Sequence, residues 1–487
     1  MVYSNLPERG LQRKALYSAI WIAVAILLGI VFSVVGMPAL YAAAAVAFLL
    51  VFSVISARFP LAVLVMGASI WALALVPFSW GLQTGVLPKL FGDEALLLLY
   101  LFAAPFLYLF TERPWRPGFS SLYLVTLAFI ALQSLGLTSH PDLIALRSFI
   151  ETYVLGALLL VLFLQEGSHH DSGTLAKFIA GVTVVIAVLS VVEQIAHRNP
   201  IIEHESRAYI PTDLIRIMGG VYRPYVSFFH PSEAGTFLAM GTPFLVLQWV
   251  QSRSWIMLSG IFIAIAGLLV NATRGVWLAV LIASLLVLRR LWIWIVVASP
   301  VLVTSTAVGY LMFGDSTFVR KITDPVDLYE RFEYWLVAQR MIAAHPFLGV
   351  GHNNFGKVYL DYVTSVGTFI DFDIGKVFVA DSMFLTTAVE HGILGVISLL
   401  GFLGFVKYLL RRTRLRLERS GLAREAQFVR CSEFALIIYV GAGLLADVHL
   451  FTKATKYAFI LIGLGLAQGA RYLPTDSRKK ATQMQEV

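Results

Sequence analysis

Of the 487 residues, 58% are hydrophobic and only 14% are charged, and the mean hydropathy is +0.79. A soluble domain carries about 25% charged residues, so this composition excludes a soluble enzyme and marks a polytopic membrane protein. The formal charge of +8 does not indicate nucleic-acid binding, because the basic residues are segregated. Arg411, Arg412, Arg414, Arg416, Arg419 and Arg424 cluster between apolar runs, and Arg478, Lys479 and Lys480 sit in the tail, as cytoplasmic loops do under the positive-inside rule.

In chain order, Arg9, Arg13 and Lys14 precede an apolar run from Tyr17 to Val35. It exceeds the ~7–15 residues of a cleaved signal core and no small-x-small site follows, so it reads as an uncleaved first span. Crossing ~30 Å of hydrocarbon takes roughly 20 apolar residues. About fourteen stretches (twelve to fourteen spans) meet that demand: 17–35, 38–57, 60–80, 93–110, 119–137, 143–164, 174–196, 233–251, 254–270, 275–289, 291–313, 383–409, 428–447 and 455–471. The expected fold is an all-α transmembrane helical bundle with two extracytoplasmic loops. Its divisions are N-terminal spans to 196, a first loop 197–232 and central spans 233–313, then a large loop 314–382, C-terminal spans 383–472 and a tail 473–487. With both termini in the cytoplasm, the dense basic clusters fall inside and both long loops fall outside. The single cysteine, Cys431, permits no internal disulfide.

The first loop contains Leu214 to Gly220, read as a short interfacial segment ended by glycines. In the second, Leu328 to Ala344 reads as an amphipathic helix with Phe332, Trp335, Leu336 and Ile342 on one stripe, ended by Pro346. A loop longer than ~15 residues in a compact protein is functional or disordered, and the aromatics Trp335, Phe347, Phe355, Tyr359 and Tyr362 argue for an ordered cap over a site.

Three outward features carry chemistry. Thr273-Arg274-Gly275-Val276-Trp277 puts an arginine at the edge of a span, and Pro346-Phe347-Leu348-Gly349-Val350-Gly351-His352-Asn353-Asn354-Phe355 follows the amphipathic helix. Asp381-Ser382-Met383-Phe384-Leu385 then opens a span that continues to Glu390-His391-Gly392-Ile393-Leu394-Gly395. These elements, in this order over Arg223 to Gly395, resemble the O-antigen ligase and O-antigen polymerase superfamily of membrane glycosyltransferases. The resemblance implies a metal-independent, inverting transfer from a polyprenyl-diphosphate-linked sugar at the periplasmic leaflet of a bacterial inner membrane. The partners it implies are an undecaprenyl-diphosphate-linked oligosaccharide, the lipid bilayer and a chain-length regulator, with no cofactor.

Displacing a diphosphate leaves negative charge that arginine suits, being always charged and matched to phosphate in a two-toothed grip. Arg274 is the first candidate, with Arg223, Arg331, His352 and Asn353 as binding candidates. Asp381 stands where the resemblance places a histidine in ligases, and serves either as a base or as a helix cap. Glu390, about two and a half turns deeper, is a candidate catalytic carboxylate expected to pair with an arginine, because a lone carboxylate there is costly. His391 and His352 read as structural, no His, Cys, Asp and Glu grouping has metal-ligand spacing, and no metal is expected. Arg147 and Glu151, one turn apart, are expected to pair. Asp447, His449, Lys453 and Lys456 form an outer polar cluster, read as a solvated loop in preference to a seat for a phosphate or a sugar.

The enzyme reading is a polymerase of lipid-linked repeat units (exopolysaccharide or O-antigen). The alternatives are a ligase joining polymer to a lipid A-core, and a flippase, which would show two equivalent halves. The topology is open to test. A cysteine placed by Thr368→Cys in a Cys431→Ser background is expected to react with a membrane-impermeant maleimide from outside the inner membrane. Reaction only after that membrane is permeabilised would put the large loop inside.

Overall fold

A computed structural model describes residues 120–139, 143–197, 199, 221–228, 230–271, 273–287, 326–363, 380–446 and 452–472, together with the two-residue strands at 81–82, 90–91 and 217–218. The expected spans 17–35, 38–57, 60–80, 93–110 and 291–313 lie outside the described residues. The chain divides into two compact units, Met1–Ala72 with Trp80–Thr111, and Leu73–Ser79 with Glu112–Val487. In the first, β1 (Gly81–Leu82) pairs antiparallel with β2 (Leu90–Phe91).

The second unit is helical. Its elements are α1 (Ser120–Ser134), α2 (Leu143–Phe149), a π turn (Ile150–Val154), α3 (Leu155–Gly167), α4 (Ser172–Ala196), α5 (Pro231–Ser252), α6 (Trp255–Val270) and α7 (Arg274–Val287). They continue with α8 (Val326–Ala344), α9 (Phe355–Tyr362), α10 (Met383–Arg419), α11 (Ala423–Leu444) and α12 (Thr452–Tyr472). Helices thus form at nine of the expected spans. Four among the described residues are long and apolar enough to cross a membrane: Ile144–Gln165, Ser172–Ala196, Met383–Arg419 and Ala423–Leu444. Shorter apolar helices cover Ser121–Leu137, Trp255–Val270 and Arg274–Leu286. The full fourteen-span count is therefore larger than these residues establish.

Three local expectations can be set against the structure. Within the stretch Leu214 to Gly220 the described residues Ile217–Met218 form β3, which pairs antiparallel with β4 (Val221–Tyr222). Two glycines between short apolar runs favour a tight hairpin. In α8 the buried residues are Val337, Ala338 and Met341, packed with Val350, Phe355, Tyr359 and Val389, whereas Phe332 and Leu336 are 50% and 55% exposed. The short side chains face inward because another helix has to approach there. Arg147 and Glu151 do pair, as their spacing requires.

The interaction that positions the site lies in α10. Gly392 breaks that helix with φ 63° and ψ −164°. The carbonyls released by the break do not remain orphaned: Val350 N–H donates to Val389 O at 2.8 Å and Gly351 N–H to Glu390 O at 3.1 Å. In return Ile393 N–H donates to Pro346 O at 2.8 Å. The loop after α8 therefore adds itself to the broken helix. Only glycine fits at Gly392, since a Cβ there would collide with the Phe347 carbonyl, and Gly349 (φ +72°) meets the α10 backbone in the same way. From the other side, Gln133 of α1 donates to Gly395 O at 2.9 Å and Ser398 Oγ at 3.0 Å. His352 N–H reaches Gly136 O at 3.1 Å.

Gly392→Ala is expected to lower stability by at least about 2 kcal/mol, from positive-φ strain plus the collision. Gly401→Ala on the same helix, where a Cβ meets nothing within 4 Å, serves as the control. Thermal unfolding of the two variants in detergent checks this, and equal midpoints would contradict it.

Candidate functional site

Two groups of polar side chains lie along the first part of α10. The first gathers at its head. Asp381 adopts φ 53° and its Oδ2 lies 3.4 Å from Arg331 Nε. The cap position of α10 belongs to Ser382, so Asp381 is not the cap. Arg331 also donates from Nη1 to Leu445 O at 2.6 Å, which fixes the guanidinium between α8 and the end of α11. Leu445 in turn lies against Gly275, whose absent Cβ would stand 3.2 Å from the Leu445 Cβ. That contact brings the Thr273-Arg274-Gly275 turn to the same place.

Arg223 approaches from the first loop. It is 8% exposed, and donates from Nε to Asn271 O at 3.3 Å and from Nη2 to Thr273 Oγ1 at 3.1 Å. Asn271 ties the turn down further through Nδ2 to Pro224 O at 2.9 Å. Arg274, the next residue, starts α7 and is exposed. His230 lies near both Arg223 and Arg331. Burial and then the two neighbouring guanidinium charges pull its pKa down to about 3. Its Nδ1 accepts from Ser232 N–H at 3.1 Å, capping α5. A neutral ring is required for that bond, and it spares the arginine group a further positive charge.

Two more cations are placed differently from the solvated loop expected for them. Lys453 and Lys456, expected in a solvated loop, are 2% and 0% exposed at the head of α12. Lys453 Nζ donates to Ser227 O at 2.9 Å and stands 5.3 Å from the centre of the Phe228 ring. The carboxylate of Glu233 accepts from the Lys453 and Ala454 backbone N–H groups at 2.9 and 3.3 Å. A Lys-x-x-Lys spacing at a predicted helix start was the available signal. Asp447 and His449 lie outside the described residues.

The second group lies roughly 12 Å further along α10 at 1.5 Å per residue. His352 Nδ1 is 3.2 Å from Glu390 Oε2 and 3.1 Å from His391 Nε2. Glu390 therefore pairs with a histidine and not with the arginine expected for it, because Gly351 and Asn353, both with positive φ, turn His352 back toward α10. All three side chains are at most 2% exposed, so Glu390 and His352 do not face a surface a sugar could reach, and Asn353 serves the turn. Tertiary structure has also joined a His, Glu and His set close enough to hold a metal ion, which spacings of 38 and 39 residues do not display. The π turn contributes too: Ser148 and Tyr153, five residues apart, both reach these histidines, at 3.1 Å and 3.5 Å.

Residues 258–400 match the O-antigen ligase family model. The matched segment runs from α6 to the middle of α10 and includes Arg274, Arg331, Asp381 and Glu390. It supports the O-antigen ligase/polymerase superfamily for this chain and, with the apolar helices, a membrane protein. A search of curated proteins finds no significant match.

The neutral His230 gives this polar group a pH signature. The unfolded chain protonates this histidine near pH 6.5 and the folded chain only near 3. Its contribution to stability is present above about pH 6.5 and is lost as the pH falls toward 3. The ring is partly exposed, so at pH 5 the loss is about 1–2 kcal/mol. His230→Asn, which can still cap α5, is expected to show a smaller fall in unfolding temperature between pH 7.5 and pH 5.

Proposed function

We propose that this chain polymerises lipid-linked polysaccharide repeat units, of exopolysaccharide or O-antigen, at the periplasmic face of a bacterial inner membrane. It transfers a glycan from a polyprenyl-diphosphate carrier to a second lipid-linked unit. The observation that carries this reading is the convergence of Arg223, Arg274 and Arg331 with Asp381 where α7, α8, α10 and α11 meet.

In the transfer, the acceptor hydroxyl oxygen attacks the anomeric carbon and the bond to the diphosphate oxygen breaks with inversion. The carboxylate of Asp381 takes the hydroxyl proton, and Arg331 keeps it ionised and oriented. The electron pair leaves on the diphosphate, where Arg274 and Arg223 meet the growing charge. Each charge-assisted hydrogen bond is worth about 1.5–3 kcal/mol, so guanidinium groups supply what a metal ion provides in other phosphate chemistry. The exposed apolar side chains Phe332, Leu336, Phe347 and Leu348 offer a surface for prenyl tails or the bilayer beside the charged group.

Polymerase is preferred to ligase on one residue. The histidine that the resemblance gives to ligases at the start of this span is Asp381 here. A polymerase has to seat two prenyl carriers, which suits a wide apolar approach.

The test uses cells lacking the native gene and supplied with either the natural chain or Arg274→Lys. Long glycan is expected with the natural chain, and single repeat units with the variant. Turnover should fall at least tenfold, about 1.4 kcal/mol in the barrier, at normal membrane level, because a point charge does not reproduce the fork. Full-length polymer accumulating on the carrier in the knockout would identify a ligase, and undiminished polymer with Arg274→Lys would remove Arg274 from the site.

A further inference from the structure

From the geometry of His352, Glu390 and His391 we infer a buried zinc site that clamps the loop after α8 onto the broken helix α10. It is independent of the proposed glycosyl transfer and plays no part in its chemistry.

In a tetrahedral zinc site with bonds of ~2.0–2.1 Å, neighbouring ligand atoms stand about 3.3 Å apart. His352 Nδ1 is 3.1 Å from His391 Nε2 and 3.2 Å from Glu390 Oε2. Tyr153 Oη, 3.5 Å from His391 Nε2, lies at the distance of a fourth corner. Two ring nitrogens and a carboxylate oxygen are a donor set that zinc takes readily and magnesium does not.

Each histidine is also oriented by its other nitrogen. His391 Nδ1–H donates to Gln133 O at 2.9 Å, which fixes the tautomer and leaves Nε2 as a lone pair. His352 Nε2 is 3.1 Å from Ser148 Oγ, which leaves Nδ1 turned toward the cluster. Ligating histidines have their second nitrogen held in this way.

The rival arrangement is a hydrogen-bonded set without an ion. It fits less well, because His352 Nδ1 has one proton to offer and two acceptors at nearly equal distance. Glu390 Oε2 is fully buried with His352 Nδ1 at 3.2 Å, out of line for a good hydrogen bond. No lysine or arginine among the described residues is recorded as its ion-pair partner. An ion at the centre satisfies all three atoms together. Since His352 belongs to the loop and Glu390 and His391 to α10, it would join the same segments that the backbone bonds join.

The experiment takes the full chain, purified in detergent with a tag free of histidine and without chelator. Elemental analysis is expected to find about one zinc per chain, as a folded structural site retains its metal. Exchange with Co²⁺ should give the visible absorption of a tetrahedral site, and a strong chelator should lower the unfolding temperature. Zinc content should fall several-fold in His391→Gln and Glu390→Gln. A well-folded wild-type chain that holds less than about a tenth of an equivalent of metal, gives no tetrahedral Co²⁺ spectrum and ignores chelator would overturn the inference in favour of a protonated histidine paired with Glu390. The wild-type measurements decide the matter even where a variant fails to fold, and none depends on glycan transfer.

Discussion

The break in α10 at Gly392 is the constraint on which the rest of the arrangement depends. A helix interrupted in an apolar setting exposes carbonyl and amide groups, each costing several kcal/mol unless protein supplies partners. Here the partners are backbone groups of Pro346, Val350 and Gly351. The dependence is mutual, since the loop's own N–H groups would be unpaired without the break. This exchange fixes where α8 ends, how His352 is aimed, and where α9 begins. The two glycines with positive φ are needed because backbone meets backbone with no room for a side chain.

Electrostatics sorts the polar residues into two kinds of solution. At the head of α10, Arg223 and Arg331 are held apart by carbonyl and hydroxyl acceptors and one carboxylate. Guanidinium groups gathered at one turn attract negative charge. Within α10 the opposite problem arises, a buried carboxylate with histidines for company. At the far end of α10 the charges answer one another: Arg414 reaches Glu418 and Glu433 at 3.0 Å, and Arg430 reaches Glu418 at 2.9 Å.

Much of the fold was legible because apolar runs report helices directly. The helices Ser172–Ala196, Trp255–Val270 and Val326–Ala344 begin and end within a few residues of their expected positions. Arg274 and Asp381 were legible as candidates because an isolated charge beside apolar sequence is conspicuous. Long-range pairing was not legible. Nothing in the local pattern of Glu390 announces His352, and nothing in Pro346 to Gly351 announces that its N–H groups complete a helix. The apolar stripe of α8 was legible as a stripe, but not which side packs: the contact with α9 and α10 selects Val337, Ala338 and Met341, with Ile342 at its edge. Lys453 and Lys456 were misjudged for a related reason: a lysine beside an apolar helix reads as solvated until a buried carbonyl such as that of Ser227 is known to receive it.

The kink also redraws where the bilayer meets α10. Beyond Gly392 the apolar stretch from Ile393 to Leu410 runs up to the first arginine of the far end, a length of about 27 Å at 1.5 Å per residue. That is close to the ~30 Å of hydrocarbon a helix must cross. The shaft beyond the kink therefore suffices as the membrane crossing, and Met383 to His391 becomes a short separate helix resting at its rim. Glu390 then lies near the depth of the headgroups, not at the bilayer midplane. A carboxylate between two imidazoles is far less costly at that depth, and an ion arriving from the aqueous side would have only a short path to reach it.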